Sequence, residues 1–544
     1  MNCMRFAGVR RCGYSSCACI DEMTTTLSLL LLLLAAVKLQ NVAGERILLA
    51  SPQIPSHVMA QTAVGEELVR RGHQVYIAIG SRYPRPESLE HLGLRAVFYR
   101  VPASDVTFGA RDDLLAQGIF SPDYDATSLA PAVSSMVSRD CELMLSDDGF
   151  MERVRALNFD VALVEPFAVN PCVLLLPHRL NLRFVSLANF YLPWTIRMPA
   201  LPSFLRIRGP VSISASNQSI LWNSLANSLI YLSAHWQIPS TVWNNTLLEK
   251  YSTSPDLTWN ELILKSELFF VVSDHHLGSP LPMFPNVIPV PCITVRPTNP
   301  LPDELHQLAA QSRDGLILVT FGSMASSFPS SIVAKLLAAF SRLNQTVIAR
   351  LRVPEEVAVP GNVHVYQWLP QNDILAHRQT RLFVTHCGSN GQHEALYHGV
   401  PMLGFPLFAE QPLNCERARA KGLALTMNIH DFTVDQLSAN VGELLRNRTY
   451  ADNARRRSAI LHDQPLVGPK KAAHWIEHVL KHGSAHLRSP AMDLPLHRFL
   501  MLDVIGVVVV TTLVISTLAC ASALVITRTA WRKWVYQTSP KKLQ

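Results

Sequence analysis

The chain has 544 residues, room for about two to four domains. Apolar residues make up 48% of it and charged residues only 16%, which excludes global disorder and allows a large core. The net charge of +7 is modest, and Arg528, Arg532, Lys533, Lys541 and Lys542 near the C-terminus account for much of it, so no nucleic-acid surface is expected.

In chain order, Leu27 to Val37 is an apolar run too short to cross a bilayer. Val42-Ala43-Gly44 follows and suits signal cleavage after Gly44, with Met1 or Met23 as the working start. Arg46 to Ser51 reads as a buried parallel strand. A loop over Pro52 to Ser56 leads to a helix from about His57 to Arg71, and a second strand begins at His73. This is the βαβ start of a doubly wound sheet, and it puts His57 at the sheet's carboxyl edge, where open α/β folds bind ligands. Phe159 to Glu165 reads as a further strand, with Asp160 capping its start and Glu165 at its end.

Phe190 to Trp194, Trp222, Trp236 and Trp243 form an aromatic region without clear periodicity, and no site residue is assigned there. Sequons stand at Asn217, Asn244, Asn344 and Asn447. Prolines crowd the stretch from Pro280 to Pro302, which places an interdomain linker at 294–311. Leu316 to Thr320, Gln345 to Leu351 and Asn362 to Tyr366 read as strands of a second unit. Arg417 to Ala424, Val434 to Asn447 and Ala472 to His482 read as helices, the last crossing back to the first domain. Cys141, Cys172, Cys292, Cys387 and Cys415 lie in the body. Their odd number leaves at least one outside any disulfide, and their spacing is no disulfide framework.

The densest stretch runs from Gln367 to Gln411. A short strand, Arg381 to His386, feeds a Gly-, Ser- and Asn-rich turn that opens a helix from about Ser389 to His398, with Gly399 in the left-handed C′ position. A strand over Val400 to Phe405 follows. Free N–H groups and the positive dipole end at such a helix start suit an anion.

Here Trp-Leu-Pro-Gln-Asn-Asp at 368–373, Thr-His-Cys-Gly-Ser-Asn-Gly at 385–391, Glu-Ala-Leu-Tyr-His-Gly-Val-Pro-Met at 394–402 and Phe-Pro-Leu-Phe-Ala-Glu-Gln at 405–411 resemble the signature of the UDP-glycosyltransferases. That family includes the UDP-glucuronosyltransferases and the invertebrate UDP-glucosyltransferases. The resemblance implies two doubly wound, Rossmann-like α/β domains facing across a cleft (the GT-B arrangement), an acceptor-binding domain at 45–293, a UDP-sugar-binding domain at 312–498, and a C-terminal transmembrane helix.

By the same resemblance, Trp368 stacks on uracil, Gln371 meets the nucleoside and Glu394 accepts from the ribose hydroxyls. His386 and Asn390, with backbone N–H groups such as that at Gly388, hold the diphosphate. Glu410 and Gln411 hold the sugar hydroxyls, and Ser323 and Arg350 lie near the donor. His57 is the catalytic base and Glu165 orients it. The chain departs from the usual pattern at Cys387, where Gly is frequent, and at Glu410 and Glu165, where Asp is common.

The expected chemistry is an inverting transfer from a UDP-sugar, with UDP-glucose favoured and UDP-glucuronate the alternative, to a hydroxyl of a small lipophilic acceptor, as in detoxification. No cofactor or metal is expected, and homo- or hetero-oligomers with related members are possible. A zinc hydrolase built on His386, Cys387, His393, Glu394 and His398 is rejected because His393 and His398 stand about 140° apart around a helix at ~100° per residue. A silent nucleotide-sugar-binding protein would not need both His57 and an acid at 165.

Val504 to Thr527 carries no charge and is about 36 Å long as a helix at ~1.5 Å per residue, enough to cross a bilayer. The basic tail, 528–544, places the body in the lumen by the positive-inside rule. Lys541 and Lys542 form a dilysine retrieval pattern. The expectation is a type I protein of the endoplasmic reticulum membrane.

Overall fold

The computed structural model describes residues 44–538 except 84–86, 106–117, 122–128, 169, 273–274, 279, 281, 324, 326 and most of 190–244, where only 195–197, 225, 229 and 243 are described. The leader, Trp222, Trp236, the aromatic run at 190–194, the sequons at Asn217 and Asn244, and Lys541 and Lys542 lie outside the described residues.

Two parallel sheets form the body. The first holds β1 (Arg46–Ala50), β2 (Gln74–Gly80), β3 (Arg95–Tyr99), β4 (Val161–Val164), β5 (Phe184–Ala188), β6 (Phe269–Val271) and β7 (Val287–Pro289) in the order β3-β2-β1-β4-β5-β6-β7. The second holds β8 (Leu316–Thr320), β9 (Thr346–Arg350), β10 (Val363–Val365), β11 (Thr380–Thr385), β12 (Met402–Gly404) and β13 (Ala424–Thr426) in the order β10-β9-β8-β11-β12-β13. Both orders reverse direction once, between β1 and β4 and between β8 and β11. Those switch points are where a doubly wound sheet opens a crevice for ligand.

Continuous apolar runs become strands here because each sheet is covered on both faces. In the second sheet Ile317, Val319, Leu382 and Val384 enter one core with the helices Ser330–Phe340 and Val434–Arg446. Leu316, Leu318 and Phe383 enter the other, with helix residues such as Ile374 and Ala395.

Helix α1 (Pro55–Arg70) starts two residues before the expected boundary, because Pro55 sets a helical φ at a position that needs no N–H partner. His57 therefore sits within the first helical turn. The long helix α2 (Ala130–Ser146) buries Val137, Cys141, Met144 and Leu145. In the second unit α3 (Gln371–Ala376), α4 (Ser389–Tyr397) and α5 (Gln411–Ala420) surround the dense stretch. The helix expected over Arg417 to Ala424 is thus α5, which starts earlier, while Ala424 opens β13. Helix α6 (Gly468–His482) returns to α1, where Glu477 meets Arg71 at 2.9 Å and His73 at 3.3 Å.

The cysteines correct the sequence reading, since two disulfides form, Cys141–Cys172 and Cys387–Cys415. Cys292 keeps its thiol, which donates to the His393 carbonyl. Residues 486–544 make a separate unit, whose helix α7 (Leu502–Thr538) is longer than the expected span and long and apolar enough to cross a membrane.

Candidate active site

The first half of the site grows from one register. Ala50 pairs with Val164, so β1 and β4 release their chains side by side, and the Glu165 amide donates back to the Ala50 carbonyl at 3.1 Å. Glu165 and His57 are both buried, and His57 Nδ1 lies 2.5 Å from Glu165 Oε1. With the carboxylate oxygen accepting, Nδ1 carries the proton of the neutral imidazole and Nε2 keeps its lone pair in that form. The edge of Phe167 fixes the ring plane at 5.1 Å and 84°. Burial works against the charged imidazole, but the Glu165 charge and hydrogen bond, helped by Glu410, outweigh it and hold the His57 pKa above 6.5.

The second half repeats the pattern at the other switch point. Thr320 pairs with Thr385, so the turn Phe321-Gly322-Ser323 and the turn His386-Cys387-Gly388 emerge together. The His386 ring lies between Gly322 and Gly388, and a Cβ on either would overlap it. Gly388 is the N-cap of α4, so the free N–H groups of that helix start beside the ring. Burial, with Arg350 adding to it, lowers the His386 pKa to about 4, so the ring is neutral.

Arg350 ends β9 and braces these turns. Its guanidinium donates to the carbonyls of Gly322, Ser323 and Gln367, and lies 5.8 Å from the centre of the Trp368 ring. Trp368 is 49% exposed. Glu394 is buried and doubly held. Gln371 Nε2 donates to Oε2 at 2.6 Å and Thr294 Oγ1 donates to Oε1 at 2.8 Å. Burial still pushes the Glu394 carboxyl up, against those two bonds.

Glu410 is the N-cap of α5. Burial raises its pKa, and it feels the charges of both His57 and Glu165. Gln411 Oε1 accepts from the amides of Leu407 and Phe408 at 2.9 and 3.1 Å, so it shapes its own loop. Asn390 bonds the carbonyl of Ser56 at 3.2 Å and thereby touches the first half of the site.

The structure therefore joins His57 to Glu165, with Glu410 within electrostatic reach of both. It gathers Ser323, Arg350, Trp368, His386, Gly388 and Asn390 around the second switch point, with Gln371 and Glu394 paired. Sequence reasoning missed Phe167, Thr294 and Cys415. Thr294 was hidden in a proline-dense stretch, and only its threonine hydroxyl hinted at a polar task. Among the described residues no group of three or more His, Cys, Asp or Glu side chains is placed to hold a metal ion. His393 donates to the Ser389 carbonyl and His398 to Asn372 instead.

The family model described as UDP-glucoronosyl and UDP-glucosyl transferase matches residues 46–534. UDP-glucuronosyltransferase 2C1 of Oryctolagus cuniculus is 30% identical over 472 residues, covering 83% of this chain and 92% of that one. UDP-glucuronosyltransferase 2B19 of Macaca fascicularis is 28% identical over 543 residues, covering 96% and 99%. Among solved structures, the spinosyn forosaminyltransferase SpnP superposes with a TM-score of 0.55 at 18% identity, covering 80% of this chain and 100% of that one. The calicheamicin glycosyltransferase CalG4 gives 0.54 at 19%, covering 81% and 99%. At those identities the structures speak for the fold alone, which is the GT-B arrangement.

Proposed function

The chain belongs to the UDP-glucuronosyl and UDP-glucosyl transferase family, an enzyme family that transfers sugar from a UDP-sugar, and from that premise we propose an inverting glucosyl transfer to a hydroxyl of a small lipophilic acceptor. The observation that carries the proposal is the buried His57–Glu165 pair, with a proton-bearing Nδ1 and a free Nε2. Nε2 takes the acceptor proton as the oxygen attacks the anomeric carbon. The bond from that carbon to the β-phosphate oxygen breaks, and UDP leaves with the electron pair. An α-linked donor then gives a β-glycoside. Glu165 stabilises the imidazolium formed on the way.

On the donor side, Trp368 is the uracil platform and the Glu394 carboxylate takes the ribose. Ser323, His386, Asn390 and the α4 amides face the diphosphate. Glu410 and Gln411 take the sugar. A carboxylate at 410 suits neutral hydroxyls better than a glucuronate carboxylate, which supports UDP-glucose. The similarity to UDP-glucuronosyltransferases supports UDP-glucuronate as the second reading.

We place the enzyme in the endoplasmic reticulum membrane with its catalytic residues lumenal. Helix α7 supplies the anchor, Arg528, Arg532 and Lys533 follow its uncharged stretch, and two disulfides suit an oxidising compartment. Among the sequons, Asn344 is exposed and Asn447 caps the helix Arg448–His462.

A panel of UDP-sugars with a generic phenol, assayed in detergent-treated membranes, tests the function. Turnover with UDP-glucose is expected. Turnover with UDP-glucuronate alone would overturn the donor, and turnover with no donor would return the reading to a silent binding protein.

A further inference from the structure

Cys387 stands between His386 and Gly388, so its backbone aims both groups. Its φ is 64°, the left-handed region, which costs an L residue other than glycine about a five- to thirtyfold factor in conformational equilibrium. Three contacts hold it there. Its amide donates to Thr385 Oγ1 at 3.3 Å, its carbonyl accepts from Asn414 Nδ2 at 3.2 Å, and its sulfur bonds Cys415 in the second turn of α5. Both cysteines are fully buried, and the bridge lies on Gly404, where a Cβ would overlap both sulfurs. The same helix begins at Gln411 with Glu410 as its cap, so one covalent bond ties the His386 turn to the segment carrying both acidic and amide groups of the sugar end.

We propose that the Cys387–Cys415 disulfide is a positioning element for the UDP-sugar: it holds residue 387 left-handed and thereby keeps the His386 ring and the Gly388 amide directed at the diphosphate. The proposal rests on reading 386–411 as the donor site. The bridge is fully buried, so added reductant reaches it slowly and substitution is the cleaner probe.

The test uses the full chain in detergent, with UDP affinity by calorimetry and steady-state constants for the donor. Cys415→Ala leaves residue 387 strained and untethered. It should weaken UDP about tenfold and raise the donor KM with little change in kcat. Cys387→Gly/Cys415→Ala lacks the bridge but adopts the same φ without strain, and should return to within about twofold of wild type. Cys387→Ala/Cys415→Ala, equally bridgeless, should stay weak, which keeps the test alive where the single variant folds poorly. Wild-type affinity in the Ala pair, or no gain in the Gly pair over it, would overturn the proposal. Glu394→Ala separates the two failures. Its retaining full UDP affinity would sink the donor-site reading, whereas its loss beside an unaffected Ala pair would sink the disulfide role alone.

Discussion

The side-chain amide of Asn390 donates to the main-chain carbonyl of Ser56 at 3.2 Å, joining the first turn of α4 to the residue directly before His57. Its Oδ1 is buried and makes no hydrogen bond. The turn that receives the diphosphate in the proposed function therefore also fixes the turn that carries the base.

Asn390→Ala removes that bond, typically a ~0.5–1.5 kcal/mol interaction, and strands a carbonyl near the base. Turnover at saturating donor should fall about three- to tenfold. Calorimetry with UDP and steady-state kinetics separate the two roles. A weaker UDP affinity with unchanged kcat would show that the Ser56 bond has no part in placing His57.

The pH profile follows from the raised His57 pKa. A base works when neutral, so activity falls as pH drops through its pKa, and the acid limb of kcat/KM should inflect above 6.5. Glu165→Gln removes the charge that raises the value, so the limb should move to lower pH. The same pair stabilises the fold fully below the unfolded value near 6.5 and loses that contribution as pH rises through the folded value. An acid limb unmoved by Glu165→Gln would dissociate the two residues.

Much of this arrangement was legible in the chain. Leu316 to Thr320 reads as a strand because burial on both faces demands an unbroken apolar run, and Ser389 opens a helix because small residues precede it. The start of α5 was not legible, since Gln411 to Cys415 carries no apolar periodicity and its two buried residues are an amide and a disulfide cysteine. That bridge itself spans 28 residues, a spacing that means nothing until β11 and β12 lie side by side. The Thr294–Glu394 and Ser56–Asn390 bonds likewise join residues whose proximity is set only by the completed fold.

Trp368→Ala should weaken UDP while leaving kcat nearly unchanged at saturating donor. A stacked base is worth ~1–3 kcal/mol, and the indole is exposed with Arg350 beside its ring. Isothermal titration with UDP should show at least a fivefold loss, partly recovered by Trp368→Phe. A change under about twofold would remove the indole from the nucleotide site.

Turnover should survive excess EDTA. The proposed diphosphate site is lined by the α4 amides, His386 and the braced Ser323 turn, groups that bind an anion directly. A large loss restored by added magnesium or manganese would require carboxylate ligands from elsewhere in the cleft.

The last prediction concerns the His57–Glu165 pair itself. His57→Ala should lower turnover by about 10²–10⁴ and leave UDP affinity close to wild type, because the base acts on the acceptor. Glu165→Gln keeps the shape but lacks the negative charge, so the imidazolium formed in the transition state loses its partner and the loss falls on the chemical step. Glu165→Asp should also lower the rate. The Nδ1–Oε1 distance is already 2.5 Å between two buried groups, and the Glu165 amide is pinned to Ala50, so the backbone cannot follow a shorter side chain. The decisive measurement is the double mutant. Groups acting as a unit are strongly non-additive, so Glu165→Gln should cost almost nothing further once His57 is gone. An equal cost in both backgrounds would make Glu165 an independent carboxylate, and the orientation of His57 would then fall to Phe167 and the helical turn alone.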